Sequence, residues 1–274
     1  MGERIARGDT RMKGVILAGG LGTRLRPLTL VTTKHLLPVY DRPMVFYPIE
    51  CLVSAGIDEI LLVTGGDHAG DFLKVLRNGQ DLGVRHLEYA YQEGEGGIAD
   101  ALKLAEEFAD GEQICVVLGD NIFERRIKHA ADAFRAQQSG AHLLLKRVPD
   151  PDRFGVVRFA EGAGADPATG TISEIIEKPT DPPSDCAVTG VYFYDGSVFD
   201  VCKTLKPSAR GELEITDVNN HYLRQGNLTH SLVEGWWTDA GTFESLYRAG
   251  RLVVEGGANR AGPKAVATAE WSGA

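Results

Sequence analysis

The chain has no apolar run near the roughly 18 residues that a membrane-spanning helix needs. Its first apolar stretch, Val15 to Ala18, is too short for the core of a signal peptide. A cytoplasmic location is the expectation. Cysteine is scarce: Cys51, Cys115, Cys186 and Cys202 are the only four, and no two stand in C-x-x-C spacing. That argues against a disulfide framework or a zinc site and for buried free thiols in a reducing compartment. Positive charge is also short, since 29 Lys and Arg against 38 Asp and Glu leave a formal net charge of −9. Duplex nucleic acid or an anionic membrane would meet a repulsive average field, so neither is expected as a partner. An anionic substrate would need cations concentrated locally. No internal repeat is present.

With 43% hydrophobic and 24% charged residues over 274 positions, the composition is that of a folded globular protein. One large domain is expected over residues 12–255, preceded by a polar, patternless extension (1–11) and followed by a loosely ordered Gly- and Ala-rich tail (256–274). Short runs rich in Val, Ile and Leu recur as VILA (Val15 to Ala18), ILLVT (Ile60 to Thr64), ICVVL (Ile114 to Leu118) and HLLLKRV (His142 to Val148). Between the first three lie helical patterns; in IADALKLAEEF, for example, Ile98, Ala101, Leu102, Ala105 and Phe108 share one face. Such alternation predicts a largely parallel sheet covered by helices. After about residue 150 the strand-like runs VVRF, ISEIIEK and VTGVYFYD come closer together, around the turn-rich EGAGADPATGT, and predict a mixed continuation of the same sheet. Helices are then expected over Val198 to Leu205, Ile215 to Gln225 and Thr242 to Val254.

The densest motif is LAGGLGTRLRP, Leu17 to Pro27, directly behind the first strand. Ligands of α/β sheets bind beyond the carboxyl ends of the strands, and Gly19, Gly20 and Gly22 would let backbone N–H groups face an anion there. A tight strand-to-helix turn is the plainer reading of glycines alone. A dinucleotide fingerprint fails because Leu25 stands where its third glycine belongs, and the G-K-[ST] of a Walker A loop is absent. Arg24 instead supplies charge. Two phosphorylated reactants repel, each unit pair about 4 Å apart by roughly 4 kcal/mol at an effective dielectric near 20.

Lys13 to Met44, KGVILAGGLGTRLRPLTLVTTKHLLPVYDRPM, resembles the signature of the sugar-1-phosphate nucleotidyltransferases. The likeness is greatest to short-form members that act on glucose 1-phosphate and a thymidine nucleotide. It continues in the family's order through VLGDNIF (Val117 to Phe123), RFGVVRF (Arg153 to Phe159), IIEKP (Ile175 to Pro179), VTGVYFYD (Val188 to Asp195), LKPSARGELEITDVN (Leu205 to Asn219) and WTDAGT (Trp237 to Thr242). The resemblance implies a three-layer, Rossmann-like α/β fold with a mainly parallel, mixed central sheet flanked by helices. It implies an enzyme joining dTTP to glucose 1-phosphate with release of pyrophosphate, dependent on Mg2+ and assembled as a homodimer or homotetramer. In-line attack of the sugar phosphate on the α-phosphorus asks the protein for positioning and charge neutralisation.

Residue by residue, the resemblance implies that Leu17, Gly19, Gly20, Gly22, Thr23 and Arg24 hold the nucleotide, with Arg24 stabilising the departing pyrophosphate. Lys34 would reach the α-phosphate, and Asp120 and Asp239 would share the magnesium ion. Gln92 would read the pyrimidine, and Gly97 would let the base lie against the backbone. On the sugar side it implies Gly155, Glu177, Lys178, Val188, Thr189, Arg210 and Trp237, with Lys178 on the sugar phosphate. Asp217 reads equally as a cap and stays outside the site.

The chain departs from these relatives where Glu93, Gly94, Glu95 and Gly96 replace a PSPDG-like stretch, and where His35 stands in place of a common glutamine. Both changes fall beside the nucleotide, so UTP, or another hexose 1-phosphate, stays open. Long family members carry further helices that form a regulatory site; feedback by that route is not expected in a chain of this length. A non-catalytic nucleotide-sugar sensor would be free to lose Arg24, Lys34, Asp120, Lys178 or Asp239, and all five are present.

Overall fold

The computed structural model describes residues 11–160 and 167–261. The extension expected over 1–11 lies outside the described residues except for Arg11, as do residues 161–166 of the turn-rich segment and, of the tail expected over 256–274, residues 262–274.

In chain order the first half contains β1 (Met12–Ala18), the small ribbon β2 (Pro38–Val39) and β3 (Arg42–Pro43), α1 (Phe46–Ser54), β4 (Glu59–Gly65), α2 (Ala69–Leu76) and β5 (His86–Gln92). Then come α3 (Ile98–Lys103), α4 (Glu106–Ala109), β6 (Gln113–Leu118), β7 (Asn121–Phe123), α5 (Lys128–Gln137) and β8 (Ala141–Arg147). The second half contains β9 (Gly155–Phe159), β10 (Ile172–Glu177), β11 (Cys186–Tyr194), α6 (Val198–Thr204), α7 (Ile215–Arg224), β12 (Leu228–Leu232), β13 (Trp237–Asp239) and α8 (Phe243–Gly256).

Nine strands form one sheet in the order β10-β9-β11-β6-β1-β4-β5, with β8 pairing β11 and β12 pairing β8. The strands β6, β1, β4 and β5 run parallel, while β11 is antiparallel to β6, β8 and β9. The mainly parallel, mixed sheet is thus the one expected. Period-two alternation sorts its side chains: Val15 and Leu17 of β1 join one core cluster, Ile16 and Ala18 the other. Residues of α3, α6 and α7 cover the first face, residues of α1, α2 and α5 the second, giving three layers. The four cysteines are buried and unpaired, as expected. Among the described residues no helix is long and apolar enough to cross a membrane.

One local expectation needs correcting. The apolar period over 98–108 breaks into α3 and α4, because Leu104 and Ala105 bond three residues back, to Ala101 and Leu102, and tighten the chain out of the α-helix.

After β5 the chain crosses to the other side of β1 to form β6, so strand order reverses between β1 and β6. The crevice beyond the carboxyl ends of such a pair is where α/β folds hold ligands. Gly19 to Gly22 follow β1 there, and Gly119 and Asp120 follow β6, with the Gly119 N–H donating to Leu17 O at 2.9 Å.

Candidate active site

A cleft of 680 Å³ opens at this switch point. Its lining includes Leu17, Gly19, Gly20, Gly22, Thr23, Arg24, Lys34, Gln92, Gly97, Asp120, Gly155, Glu177, Lys178, Val188, Trp237 and Asp239, residues drawn from most of the chain's length. A second cavity of 530 Å³, between Tyr40 and α8, contains none of them.

Asp120 and Asp239 are neighbours because a ladder makes them so. The strand β13 pairs antiparallel with β7, setting Asp239 opposite Asn121, and the Ala240 N–H donates to Asp120 O at 2.9 Å. A Cβ built on Gly241 would lie 3.3 Å from Asp239 Oδ2, 3.5 Å from Asp120 Oδ2 and 3.4 Å from Arg24 Nη2. Both carboxylates and the arginine therefore converge on one point. The capping box of α8, in which the side chains and N–H groups of Thr242 and Ser245 bond reciprocally, fixes the chain just beyond it.

Each carboxylate already has a cation. Lys34 Nζ donates to Asp120 Oδ2 at 2.6 Å, and Arg153 Nη2 donates to both oxygens of Asp239 at 3.0 and 2.9 Å. Burial opposes ionisation of Asp120, but the charge and hydrogen bond of Lys34, with His35 and the Asn121 amide adding to them, outweigh it and hold the carboxyl below its ordinary range. Gly22, at φ 61, brings the loop against Lys34, whose Cβ would lie 3.1 Å from any Cβ at position 22. Beside Lys34, His35 is 1% exposed; burial, reinforced by Lys34, pushes its pKa down to about 3, so the ring is neutral.

At one end of the cleft Gln92 ends β5. Its amide nitrogen donates to Asp100 Oδ2 at 3.0 Å and Gly97 O at 3.3 Å, and its carbonyl oxygen would sit 2.9 Å from a Cβ on Gly19. The amide is therefore oriented, with an acceptor toward the glycine loop. The missing Cβ of Gly97 makes room for the Leu213 backbone, which would otherwise be 2.7 Å away. At the other end Glu177 accepts from Thr216 Oγ1 at 2.6 Å and faces Gly155 across the β9–β10 ladder. Lys178 follows at φ 42, a left-handed conformation that costs a non-glycine residue on the order of 1–3 kcal/mol and concentrates at functional positions. Its N–H is held by Phe154 O at 3.0 Å.

Two residues expected on the sugar side stand apart. Thr189 is fully buried and its side chain is not in the lining, because alternation along β11 turns Val188 and Gly190 to the cleft instead. Arg210 is also outside the lining: its guanidinium is bound to both oxygens of Glu214, at 2.9 and 2.8 Å, and only reaches Glu177 at 3.5 Å. Three residues belong to the site beyond those assigned a role from sequence, although Glu95 stands in the stretch already placed beside the nucleotide. Arg153 lay within the quoted RFGVVRF, yet no periodicity marks it as a partner of Asp239. Glu95 accepts from the Leu21 N–H of the glycine loop at 3.2 Å. Asn121 is 3% exposed; its Oδ1 accepts from the Gly190 N–H at 3.0 Å and Trp237 Nε1 at 2.7 Å, while Nδ2 donates to Asp120 at 2.9 Å. An asparagine inside a wholly buried three-residue strand was the available signal.

The family model described as Nucleotidyl transferase matches residues 13–256. The chain is 46% identical over 249 residues to a glucose-1-phosphate thymidylyltransferase of Neisseria gonorrhoeae, covering 88% of this chain and 82% of that protein. It is 42% identical over 245 residues to the protein of the same name from Mycobacterium tuberculosis H37Rv, again covering 88% and 82%. A solved structure from Bacillus anthracis, assigned as a glucose-1-phosphate thymidylyltransferase and containing sucrose, superposes with a TM-score of 0.81 at 49% identity, covering 88% of this chain and 94% of that one. A UDP-glucose pyrophosphorylase with bound UDP-glucose shares the fold at 22% identity and a TM-score of 0.77, covering 89% and 99%.

Proposed function

The chain belongs to the nucleotidyl transferase family, and from that premise we propose that it transfers a thymidylyl group from dTTP to glucose 1-phosphate, giving dTDP-glucose and pyrophosphate. The relatives named above supply the substrate assignment. The observation that carries the chemistry is the convergence of Asp120, Asp239 and Arg24 on the point above Gly241.

Magnesium fits this donor set. Among the described residues no three His, Cys, Asp or Glu cluster so as to cage an ion unaided. A pair of carboxylates is what Mg2+ accepts when substrate phosphates and water complete its shell. Once bound, it would supply Lewis-acid stabilisation of phosphoryl charge. The lining also calls for added positive charge, since four cations, Arg24, Lys34, Arg153 and Lys178, face five carboxylates, Glu95, Asp120, Glu177, Glu212 and Asp239.

The sugar phosphate oxygen forms the new bond to the α-phosphorus while the bond to the bridging oxygen of pyrophosphate breaks in line. Lys178, fixed by its strained backbone, presents its ammonium to the attacking phosphate, and Glu177 accepts from sugar hydroxyls. Lys34 and Arg24 neutralise charge at the triphosphate, together with backbone N–H groups of the glycine loop that lines the cleft. The Gln92 carbonyl accepts the N3–H of the base. Thymine and uracil share that donor, so UTP is the second reading.

One panel tests both. Pyrophosphate release is measured with dTTP, UTP, CTP, GTP and ATP against the 1-phosphates of glucose, galactose and N-acetylglucosamine in the presence of Mg2+. Highest turnover is expected for dTTP with glucose 1-phosphate, falling at least about a hundredfold in Asp120→Asn and Asp239→Asn. Release from no pair, or undiminished rates in both variants, would overturn the assignment.

A further inference from the structure

We propose that Arg153 is the resident counter-ion of Asp239: it neutralises the carboxylate in the substrate-free protein, yields it to a divalent cation, and then lends its freed charge to the phosphates. The inference rests on the reading of Asp120 and Asp239 as the cation-holding pair.

Arg153 closes the single 3₁₀ turn Pro151–Arg153 directly ahead of β9. Its Nη2 engages both oxygens of Asp239, so the pair leaves that carboxylate little capacity for a cation while the contact lasts. The other groups near Asp239 are weaker: Ser245 Oγ at 3.5 Å, the Gly241 N–H at 3.4 Å and Arg248 Nη2 at 3.8 Å. Arg153 also has an anchorage that does not involve Asp239. Its Nη1 donates to Asp150 at 2.8 Å, and the guanidinium lies over the Phe154 ring, 5.1 Å from the centroid. The side chain can therefore release Asp239 without becoming unpartnered.

Position decides where the freed charge acts. Phe154, next in sequence, holds the Lys178 N–H, and Gly155 opposes Glu177 across the ladder. Arg153 thus joins the proposed sugar-phosphate strands to the carboxylate pair. Lys34 stands in the same relation to Asp120, so each carboxylate carries one exchangeable cation. A guanidinium suits the exchange: it stays charged throughout and can turn its planar fork from a carboxylate to a phosphate.

The test titrates Mn2+ into the purified, nucleotide-free chain and follows the free-ion EPR signal. Arg153→Gln is expected to bind Mn2+ about tenfold more tightly than wild type, the scale of coupling when one ligand must displace another. Arg153→Lys should fall between. Arg248→Gln removes a charge near the same carboxylate but no hydrogen bond to it, and should change affinity less than about twofold. In pyrophosphate assays Arg153→Gln should need less Mg2+ for half-maximal rate while kcat falls, with part of kcat restored in Arg153→Lys. Unchanged or weaker Mn2+ binding by Arg153→Gln, with or without a lower melting temperature, would overturn the proposal and leave Arg153 a clip between the 3₁₀ turn and β13. Failure of the underlying reading looks different: Asp239→Asn would then bind Mn2+ as wild type does, and no substrate pair would release pyrophosphate.

Discussion

Asn121 offers the sharpest test of how the site is built, because one buried amide ties three strands together. In Asn121→Ala the Gly190 N–H and Trp237 Nε1–H lose their acceptor, and Asp120 loses a donor. A buried donor left unpaired costs roughly 1–3 kcal/mol, so two bracket about 2–6 kcal/mol. Gly190 and Trp237 both border the cleft, where water can partly replace the lost acceptor, which puts the expected cost near 2–4 kcal/mol. At this chain size each kcal/mol moves the melting temperature by about 2–4 °C, so calorimetry should record a fall of roughly 5–15 °C. Gly190→Ala should be similarly harmful for the complementary reason: its new Cβ would sit 2.5–2.6 Å from the Asn121 amide atoms. In the double variant the side chain that caused the clash is gone, and the alanine methyl occupies its space. The double variant should therefore melt no lower than Asn121→Ala alone, a coupling of more than about 1 kcal/mol between touching residues. Pyrophosphate release by Asn121→Ala should drop on the order of 10–100-fold, as for other groups that orient a metal-binding carboxylate. Additive stability losses in the double variant, or a wild-type melting temperature in Asn121→Ala, would refute this account.

Other expectations follow from single features. His35 titrates at about 3 when folded and near 6.5 when unfolded, so between those values the unfolded chain alone takes up the proton. Stability should therefore fall as pH drops through that window, by up to ~1.4 kcal/mol per unit. His35→Gln should flatten the melting curve against pH there and run parallel to wild type above pH ~7; parallel curves throughout would contradict the burial argument. Lys178→Gly should melt higher than Lys178→Ala, since only glycine relieves the φ of 42. Both should lose turnover, and the reverse order of melting would show the backbone unstrained. Glu95→Gln removes a negative charge from the mouth of the glycine loop, where it accepts from Leu21 N–H. Its KM for the nucleoside triphosphate should drop severalfold, and an increase would make Glu95 a nucleotide ligand instead.

Local pattern made much of this legible. Val15, Ile16 and Leu17, and Ile114 to Val117, are apolar on both faces because both faces of the sheet are covered, and such runs read as parallel strands without any structure. The glycine loop was readable because strand end, bare backbone and arginine are adjacent in sequence. Pairings made by register were not. Nothing local links Asp239 to Asn121, and the Arg153 to Asp239 contact spans 86 positions between a 3₁₀ turn and a short strand. Thr189 shows the opposite failure. Its place beside Val188 in VTGVYFYD suggested a backbone or side-chain bond to the hexose, and the period of a strand, which turns adjacent side chains to opposite faces, removes the side-chain half of that expectation.

The charge pattern also carries the mechanism further than the net value of −9 suggested. A cleft evolved to attract phosphates by field alone would gather unpaired cations, as basic grooves do. Here the lining carries one more carboxylate than it has cations, and Lys34 and Arg153, the two cations deepest in the pairings, are bonded to the very carboxylates that converge above Gly241. The cleft's own charges are thus close to satisfied, which lets the fold keep two carboxylates together without the repulsion of roughly 4 kcal/mol that a pair about 4 Å apart would impose at an effective dielectric near 20. The charges of Lys34 and Arg153 become available to phosphates only when something else takes the two carboxylates. On this logic nucleotide affinity should depend steeply on divalent cation, and Asp239→Asn, by freeing Arg153 permanently, should bind the triphosphate without added Mg2+ more tightly than wild type while failing to turn it over. Equilibrium binding of dTTP to the two proteins in EDTA measures this directly; equal or weaker binding by the variant would mean that Arg153 does not serve the phosphates.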